Sequence, residues 1–142
     1  EDGLKIDMNV MAGSGLVGRI VDVGPNWSKV MSVIDDNAKT SGMVLSTADQ
    51  LIVSGDLELY AEGVIRFEKL IDNADRVVEG DKIVTSNISD KYLPGILIGY
   101  ISSINVDSNN LTKSGMIIPA VDFEHLEEVL IVTQLKQQVG DS

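Results

Sequence analysis

The stretch Gly15-Leu16-Val17-Gly18-Arg19-Ile20-Val21-Asp22-Val23-Gly24-Pro25-Asn26 contains the two signals that decide the fold. Ile20 to Val23 is rich in β-branched residues, which fit a pleated sheet better than a helix. The residues that follow, Gly24-Pro25-Asn26, form a turn sequence that ends the run. A short apolar run closed by a sharp turn predicts a β-strand that ends at the turn.

The same pattern of short runs and turn residues repeats along the 142-residue chain. Valine and isoleucine together number 32, against six aromatic residues, so the composition also favours strands. One short helical turn is predicted at Asp122 to Leu126, and a frayed tail at Gln134 to Ser142. Strands are predicted at Leu4–Val10, Ile20–Val23, Val30–Ile34, Met43–Thr47, Leu51–Val53, Leu57–Ala61, Val64–Phe67, Lys82–Ser86, Ile96–Val106, Met116–Val121 and Glu127–Thr133.

Many short strands at regular spacing indicate an all-β sandwich or barrel. A weak internal echo favours two similar units, because Leu16-Val17-Gly18-x-Ile20 recurs as Leu97-Ile98-Gly99-x-Ile101. Gly18 and Gly99 are predicted to be structural, since each interrupts a β run where a side chain would disturb a bulge or a tight bend.

The charge and the cysteine count exclude several classes of function. A net charge of −11 with no basic stripe repels nucleic acids and anionic membrane surfaces. The absence of cysteine excludes disulfides, thiolate metal sites and cysteine nucleophiles. No apolar run approaches the ~18 residues of a membrane span. We predict no cofactor and no resident metal.

Two apparent catalytic motifs fail on their context. Gly13-Ser14-Gly15-Leu16-Val17-Gly18 matches a dinucleotide-binding pattern, but the residues that follow it predict a strand and not the required helix. His125 is the single histidine, and only Asp141 and Ser142 could follow it as the acid and nucleophile of a trypsin-like triad. His125 is therefore predicted to be a packing or surface residue.

Two loops contain apolar groups that strand periodicity does not explain. Trp27 lies beside the Gly24-Pro25-Asn26 turn, and Tyr92-Leu93-Pro94 lies in the predicted loop Asn87 to Gly95. Exposed aromatic residues are favoured contact residues at protein interfaces. Trp27, Tyr92, Leu93 and Pro94 are therefore candidate protein contacts, with the alternative that they fold back to cap the core.

Gly15 to Asn26, followed by Ser28-Lys29-Val30, resembles the opening of the β-region in the MreC family of bacterial rod shape-determining proteins. Gly80-Asp81-Lys82-Ile83-Val84-Thr85-Ser86 and Leu93-Pro94-Gly95-Ile96-Leu97-Ile98-Gly99 are similar to its next two segments. Asp122-Phe123-Glu124-His125-Leu126-Glu127-Glu128-Val129-Leu130 resembles its terminal segment. Asn87 departs from the pattern, because the family usually has glycine there.

The resemblance implies two small β-barrels of about six strands each, assigned here to residues 1–75 and 76–142. The boundary is open, and the last strand could return to the first barrel. Through the matching motifs, the resemblance also implies structural roles for Gly15, Gly18, Gly80, Asp81, Gly95 and Gly99.

The function implied by the resemblance is that of a non-catalytic scaffold of the cell-wall elongation complex, which maintains rod shape. The scaffold would lie outside the cytoplasmic membrane, held by a preceding membrane helix and coiled coil. The implied partners are a class B penicillin-binding transpeptidase, MreD, the actin-like MreB system and further copies of the same chain. The alternatives are a generic β-barrel module that binds peptide or polysaccharide, and an enzyme with a protease-like fold.

Overall fold

The computed structural model describes residues 5–72, 74–126 and 129–132. It confirms the all-β class and the short helical turn near the C-terminus, which is a 3-10 turn at Phe123–His125. One further helix, α1, spans Leu57–Tyr60. The strands of the described residues are β1 (Asn9–Ala12), β2 (Gly15–Val23), β3 (Ser28–Ser32), β4 (Lys39–Val44), β5 (Gln50–Ser54), β6 (Ile65–Leu70), β7 (Lys82–Thr85), β8 (Leu97–Val106), β9 (Lys113–Pro119) and β10 (Leu130–Val132).

Six of these strands close into a barrel, in the order β4-β5-β6-β9-β8-β7 and back to β4. Every neighbouring pair in the ring is antiparallel. Alternate residues of each strand point into the barrel, so the apolar residues that recur at every second position fill its interior. The inward positions are occupied by buried aliphatic and aromatic side chains, including those of Val44, Leu51, Val53, Ile65, Phe67, Ile83, Ile98 and Ile117.

The other four strands form an antiparallel arrangement in the order β10-β1-β2-β3, called here the four-stranded sheet. A single parallel bridge between Gly15 and Leu97 joins β2 to β8 of the barrel. A second, smaller core lies under this sheet and contains Met8, Val10, Val17, Ile20 and Val121.

Strand pairing does not divide at residue 75. The barrel combines β4 to β6, which precede that residue, with β7 to β9, which follow it. The last described strand, β10, returns to pair with β1, as Asn9 opposite Val132 shows. The pairing therefore separates the four-stranded sheet, built from both ends of the chain, from a barrel built from residues 39–119.

One predicted strand is wrong in the structure, and another is confirmed only at its end. Leu57 to Ala61 alternates like a strand, but Asp56 accepts a hydrogen bond from the backbone N–H of Leu59 at 2.9 Å and caps α1. Of the predicted strand Leu4 to Val10, Leu4 lies outside the described residues, and Asn9 and Val10 belong to β1. Residues 5–8 are not in a strand, because Asp7 has a left-handed φ of +75° that breaks the run.

The internal echo has a structural counterpart in two close backbone contacts. A Cβ on Gly18 would lie 2.1 Å from the carbonyl oxygen of Met31, and one on Gly99 would lie 2.3 Å from that of Ile118. Each glycine begins a Gly-x-Ile segment that is followed by a bulge, between Ile20 and Asp22 in β2 and between Ile101 and Ser103 in β8.

The other residues predicted to be structural lie at turns or close contacts. A Cβ on Gly15 would meet the side chain of Val121 at 2.5 Å. Gly80 and Gly95 have φ values of +92° and +83°, which side chains resist. The Asp81 carboxylate accepts a hydrogen bond from the backbone N–H of Val78 at 2.9 Å and closes the turn before β7.

Candidate protein-contact surface

The β3 strand is an open edge of the four-stranded sheet. Among the described residues it pairs with β2 and with no other strand. The first three of its five residues, Ser28 to Val30, are exposed, and Met31 and Ser32 are half-buried. An unpaired edge presents backbone N–H and C=O groups to which another chain can add a strand. This edge is a surface on which a partner could bind without any pocket.

Trp27 stands at the start of this edge. The backbone N–H of Gly24 donates to the Trp27 carbonyl at 2.8 Å and closes the turn between β2 and β3. The indole packs over Gly24 so closely that a Cβ there would lie 2.2 Å from the ring. Trp27 is nevertheless 52% exposed, so the structure presents this predicted contact residue to solvent.

Of the three candidate contact residues in the loop Asn87 to Gly95, the structure exposes only Pro94. Tyr92 is only 5% exposed and belongs to the main core, and this burial raises the pKa of its hydroxyl. Its ring is therefore unavailable to a partner in this fold. Leu93 packs against the same core, and Pro94 is the exposed member of the predicted segment.

A buried asparagine explains why this loop turns inward. The Asn9 side chain accepts a hydrogen bond from the backbone N–H of Leu93 at 2.9 Å and donates to the carbonyl of Lys91 at 3.0 Å. The Ser89 hydroxyl accepts a hydrogen bond from the backbone N–H of Tyr92 at 3.1 Å. The two Asn9 contacts have no signal in the sequence, because Asn9 lies 82 positions from Lys91 and 84 from Leu93.

Charge is distributed unevenly between the two parts of the molecule. Residues 5–34, which include β1 to β3, contain three basic and two acidic residues, a net charge of +1. Residues 35–126, which include the barrel, contain 15 acidic and seven basic residues, a net charge of −8 with His125 neutral. The β3 edge thus belongs to the nearly neutral part of an acidic protein.

The side chains that could act as catalytic groups or metal ligands are exposed on the surface or already hydrogen-bonded to neighbouring residues. His125 is on the surface, and its Nδ1 lies 2.9 Å from a carboxylate oxygen of Asp122, which raises the pKa of the imidazole. Glu124 is the third member of this exposed group. The Asp107 carboxylate accepts hydrogen bonds from the hydroxyls of Thr112 and Ser114, so it closes its own turn.

The Gly13-to-Gly18 motif leads into β2, a strand, as its context predicted. Within the described residues, no helix is long and apolar enough to cross a membrane.

A family model described as "Rod shape-determining protein MreC, barrel core" matches residues 1–133 of the chain. The cell shape-determining protein MreC of Haemophilus influenzae is 27% identical over 136 residues, which cover 93% of this chain and 36% of that protein. MreC of Bacillus subtilis is 31% identical, over 90% of this chain and 47% of that protein. The chain thus spans less than half the length of these relatives.

Solved structures share the fold. MreC of Listeria monocytogenes superposes with a TM-score of 0.82 at 26% identity, covering 97% of this chain and 67% of that one. MreC of Helicobacter pylori, solved in complex with the penicillin-binding protein PBP2, superposes with a TM-score of 0.68 at 15% identity, covering 87% of this chain and 74% of that one. The second likeness concerns the fold alone.

Proposed function

Because the chain belongs to the MreC family of rod shape-determining proteins, we propose that it is a non-catalytic scaffold of the cell-wall elongation complex. It maintains rod shape by self-association and by binding wall-synthesis proteins on the extracytoplasmic side of the membrane. The match of the barrel-core model to residues 1–133 carries this proposal.

A penicillin-binding transpeptidase is the partner with the most direct support. A relative of the same fold, MreC of Helicobacter pylori, has been solved in complex with PBP2. Trp27 and Pro94 supply exposed side chains on this chain for such a contact. MreD, the MreB system and an anchor in the cytoplasmic membrane complete the proposal by family resemblance.

The test measures binding of the chain to the extracytoplasmic part of a class B penicillin-binding transpeptidase. Trp27→Ala is expected to weaken binding, because exposed tryptophans contribute strongly to interface affinity. Pro94→Ala tests the second loop. Leu111→Ala, which changes a 73% exposed residue in the turn between β8 and β9, is the control. Lack of binding by the parent chain would contradict the transpeptidase assignment, and equal binding by all variants would contradict the choice of residues.

Absence of catalysis is tested separately. Peptide, ester and peptidoglycan substrates are incubated with the parent chain and with a His125→Ala variant. We expect no hydrolysis above background, because the single histidine is exposed and its nearest ionic partner is Asp122. Turnover that disappears on replacing one polar residue would overturn the scaffold assignment in favour of an enzyme.

A polysaccharide-binding module is less well supported. Such sites stack sugar rings on several exposed aromatic residues. In the described residues the large exposed aromatics are Trp27 and Tyr100, which lie on the β2–β3 turn and on β8.

A further inference from the structure

The outward-facing backbone groups of β3 can be assigned from its pairing with β2. Met31 lies opposite Arg19, and the backbone N–H of Val33 donates to the carbonyl of Val17 at 2.9 Å. Because hydrogen-bonding groups alternate in direction along an antiparallel strand, Val30 and Ser32 direct their N–H and C=O groups away from β2. Two residues of β3 are thus ready to pair with another strand.

The second core reaches the surface at the same place. Val30 lies opposite Ile20, so the two side chains share one face of the sheet. Ile20 is fully buried at 0% exposure, whereas Val30 is 39% exposed because no further strand of the described residues pairs with β3. A strand added at this edge would cover Val30 and continue the core.

The charge and the position of the β3 edge favour a second copy of this chain as the strand that pairs with it. Lys29 is the one charged residue of β3, and the segment from Val23 to Ile34 contains no acidic residue. Another copy brings the same neutral edge. The Val23 end of β2 lies eight residues from the Gly15 bridge to the acidic barrel, about 26 Å of extended chain.

We propose that two copies of the chain pair their β3 strands antiparallel, across a two-fold axis at Val30. Val30 then faces Val30 of the second copy, Lys29 faces Met31, and Ser28 faces Ser32, so no like charges stand opposite each other. The two four-stranded sheets become one eight-stranded sheet, and the two Trp27 side chains lie at the ends of the new contact. This proposal rests on the proposed self-association and specifies its surface.

Cross-linking tests the register, because the chain has no cysteine of its own. In the proposed pairing the two Cα atoms of position 30 lie about 5.5 Å apart, within the range of a disulfide. Val30→Cys is therefore expected to form a disulfide-linked dimer on mild oxidation. Val106→Cys, at a 61% exposed position on β8, is the matched control and is expected to remain mainly monomeric. Equal cross-linking of the two variants would overturn the proposal.

Charge variants test the same contact without a covalent bond. Val30→Lys and Val30→Glu each place like charges opposite each other and are expected to weaken self-association severalfold in sedimentation experiments. A mixture of the two variants should associate again, as a heterodimer. Val106→Lys repeats the charge change on the barrel and should leave association as in the parent chain.

Unchanged self-association in Val30→Lys overturns the proposal. If that variant instead loses only transpeptidase binding, the edge serves the transpeptidase and self-pairing is again overturned. A third outcome is that neither the parent chain nor any variant binds the transpeptidase, while Val30→Cys still cross-links selectively. In that case the transpeptidase part of the proposed function is wrong and the pairing of two β3 edges is supported.

Discussion

The Asp72 carboxylate anchors the loop between β6 and β7. Its side chain is 1% exposed and accepts hydrogen bonds from the backbone N–H groups of Arg76 and Val77, each at 3.0 Å. The Lys113 ammonium donates to it at 3.1 Å. Burial opposes ionisation, but these donors outweigh it and hold the pKa of Asp72 below its ordinary value.

We expect Asp72→Ala to lower the free energy of unfolding by about 1.5–3 kcal/mol near neutral pH, the range for hydrogen bonds to a charged group. A carboxyl whose pKa is lower in the folded state stabilises the fold above its unfolded pKa, about 4. That stabilisation is lost as the pH falls through the lowered pKa of the folded state. Denaturant unfolding of parent and variant should therefore differ at pH 7 and converge in acid.

Asp75→Ala is the matched control for Asp72→Ala. The Asp75 carboxylate lies 2.6 Å from the same Lys113 ammonium, but its side chain is 82% exposed. Exposed ion pairs contribute little, typically about 0–1 kcal/mol. A loss equal to that of Asp72→Ala would show that the lysine, and not the buried backbone hydrogen bonds, sets the effect.

Gly18 and Gly99 give a second prediction for single residues. Valine at either position would meet a backbone carbonyl within about 2.3 Å of its Cβ, so the paired strand must move. We expect each substitution to destabilise the fold by about 1–3 kcal/mol. Thermal melting checks this, with Ser14→Val at an exposed turn position as the control. If both glycine variants melt like the parent, the close contacts do not constrain the fold.

The local sequence predicts whether a side chain is exposed only when residues adjacent in the sequence determine that exposure. Trp27 follows a Gly-Pro-Asn turn, and turn residues lie at the surface, so its 52% exposure agrees with its context. Tyr92 also lies in a polar loop, but its exposure depends on Asn9, which lies across the fold and pins the next residue, Leu93. The buried position of Tyr92 could not be predicted from its own segment.

The strands β1 to β3 and β7 to β9 are two copies of one arrangement. Val10 lies opposite Gly18 as Ile83 lies opposite Gly99, and a register shift follows in both pairs. The N–H of Asp7 donates to the Ile20 carbonyl at 2.7 Å, and that of Gly80 donates to the Ile101 carbonyl at 2.8 Å. The five-position echo in the sequence therefore marks a much longer structural repeat.

This repeat predicts how substitutions at Gly80 behave. Asp7 and Gly80 occupy equivalent positions and both have a left-handed φ, +75° and +92°. Aspartate and asparagine tolerate that conformation better than β-branched residues do. Gly80→Asn should therefore lower the melting temperature less than Gly80→Val, whose backbone strain is about 1–2 kcal/mol. Equal losses would contradict the equivalence of the two turns.

The two departures from the predicted strands share one physical cause. At both places an aspartate redirects the backbone while the apolar residues still alternate. Asp56 caps α1. Asp7 adopts a left-handed conformation, and its carboxylate lies 2.7 Å from the Arg19 guanidinium. Periodicity marks apolar positions, and of those in the two segments Met8 and Val10 are buried whereas Ile6 and Leu57 are exposed. It does not report the hydrogen bonds that bend the chain.

On the scale of the whole molecule, the order of elements along the chain predicts the class of fold but not the pairing. The barrel closes through β4 with β7 and β6 with β9, pairs that are far apart in sequence. The four-stranded sheet pairs β1 with β10, at opposite ends of the described chain. Such contacts depend on shape and burial over the whole fold, so local patterns predict the strands but not which strands pair.

The uneven charge leads to a prediction about assembly. A net charge of −11, of which residues 35–126 carry −8, opposes the approach of two copies at long range. The Debye length falls from about 30 Å at 0.01 M salt to about 8 Å at physiological strength, so added salt screens the barrels from each other. Contact at the neutral β3 edge is backbone pairing and apolar burial, which salt does not weaken. We therefore expect this chain to be monomeric or weakly dimeric in dilute buffer, and to associate more strongly as salt or protein concentration rises.

Sedimentation across a salt series tests this prediction, with Trp27→Ala and Leu111→Ala as the paired variants. If Trp27 covers the ends of the β3 contact, its removal lowers association at every salt concentration while leaving the slope with salt unchanged, because the slope comes from the acidic barrels. Leu111→Ala, at a more exposed turn position of the barrel, should follow the parent curve. A tight oligomer that persists at 0.01 M salt would show that repulsion between barrels does not govern assembly. Association that falls with salt would point to a contact between opposite charges and away from the neutral edge.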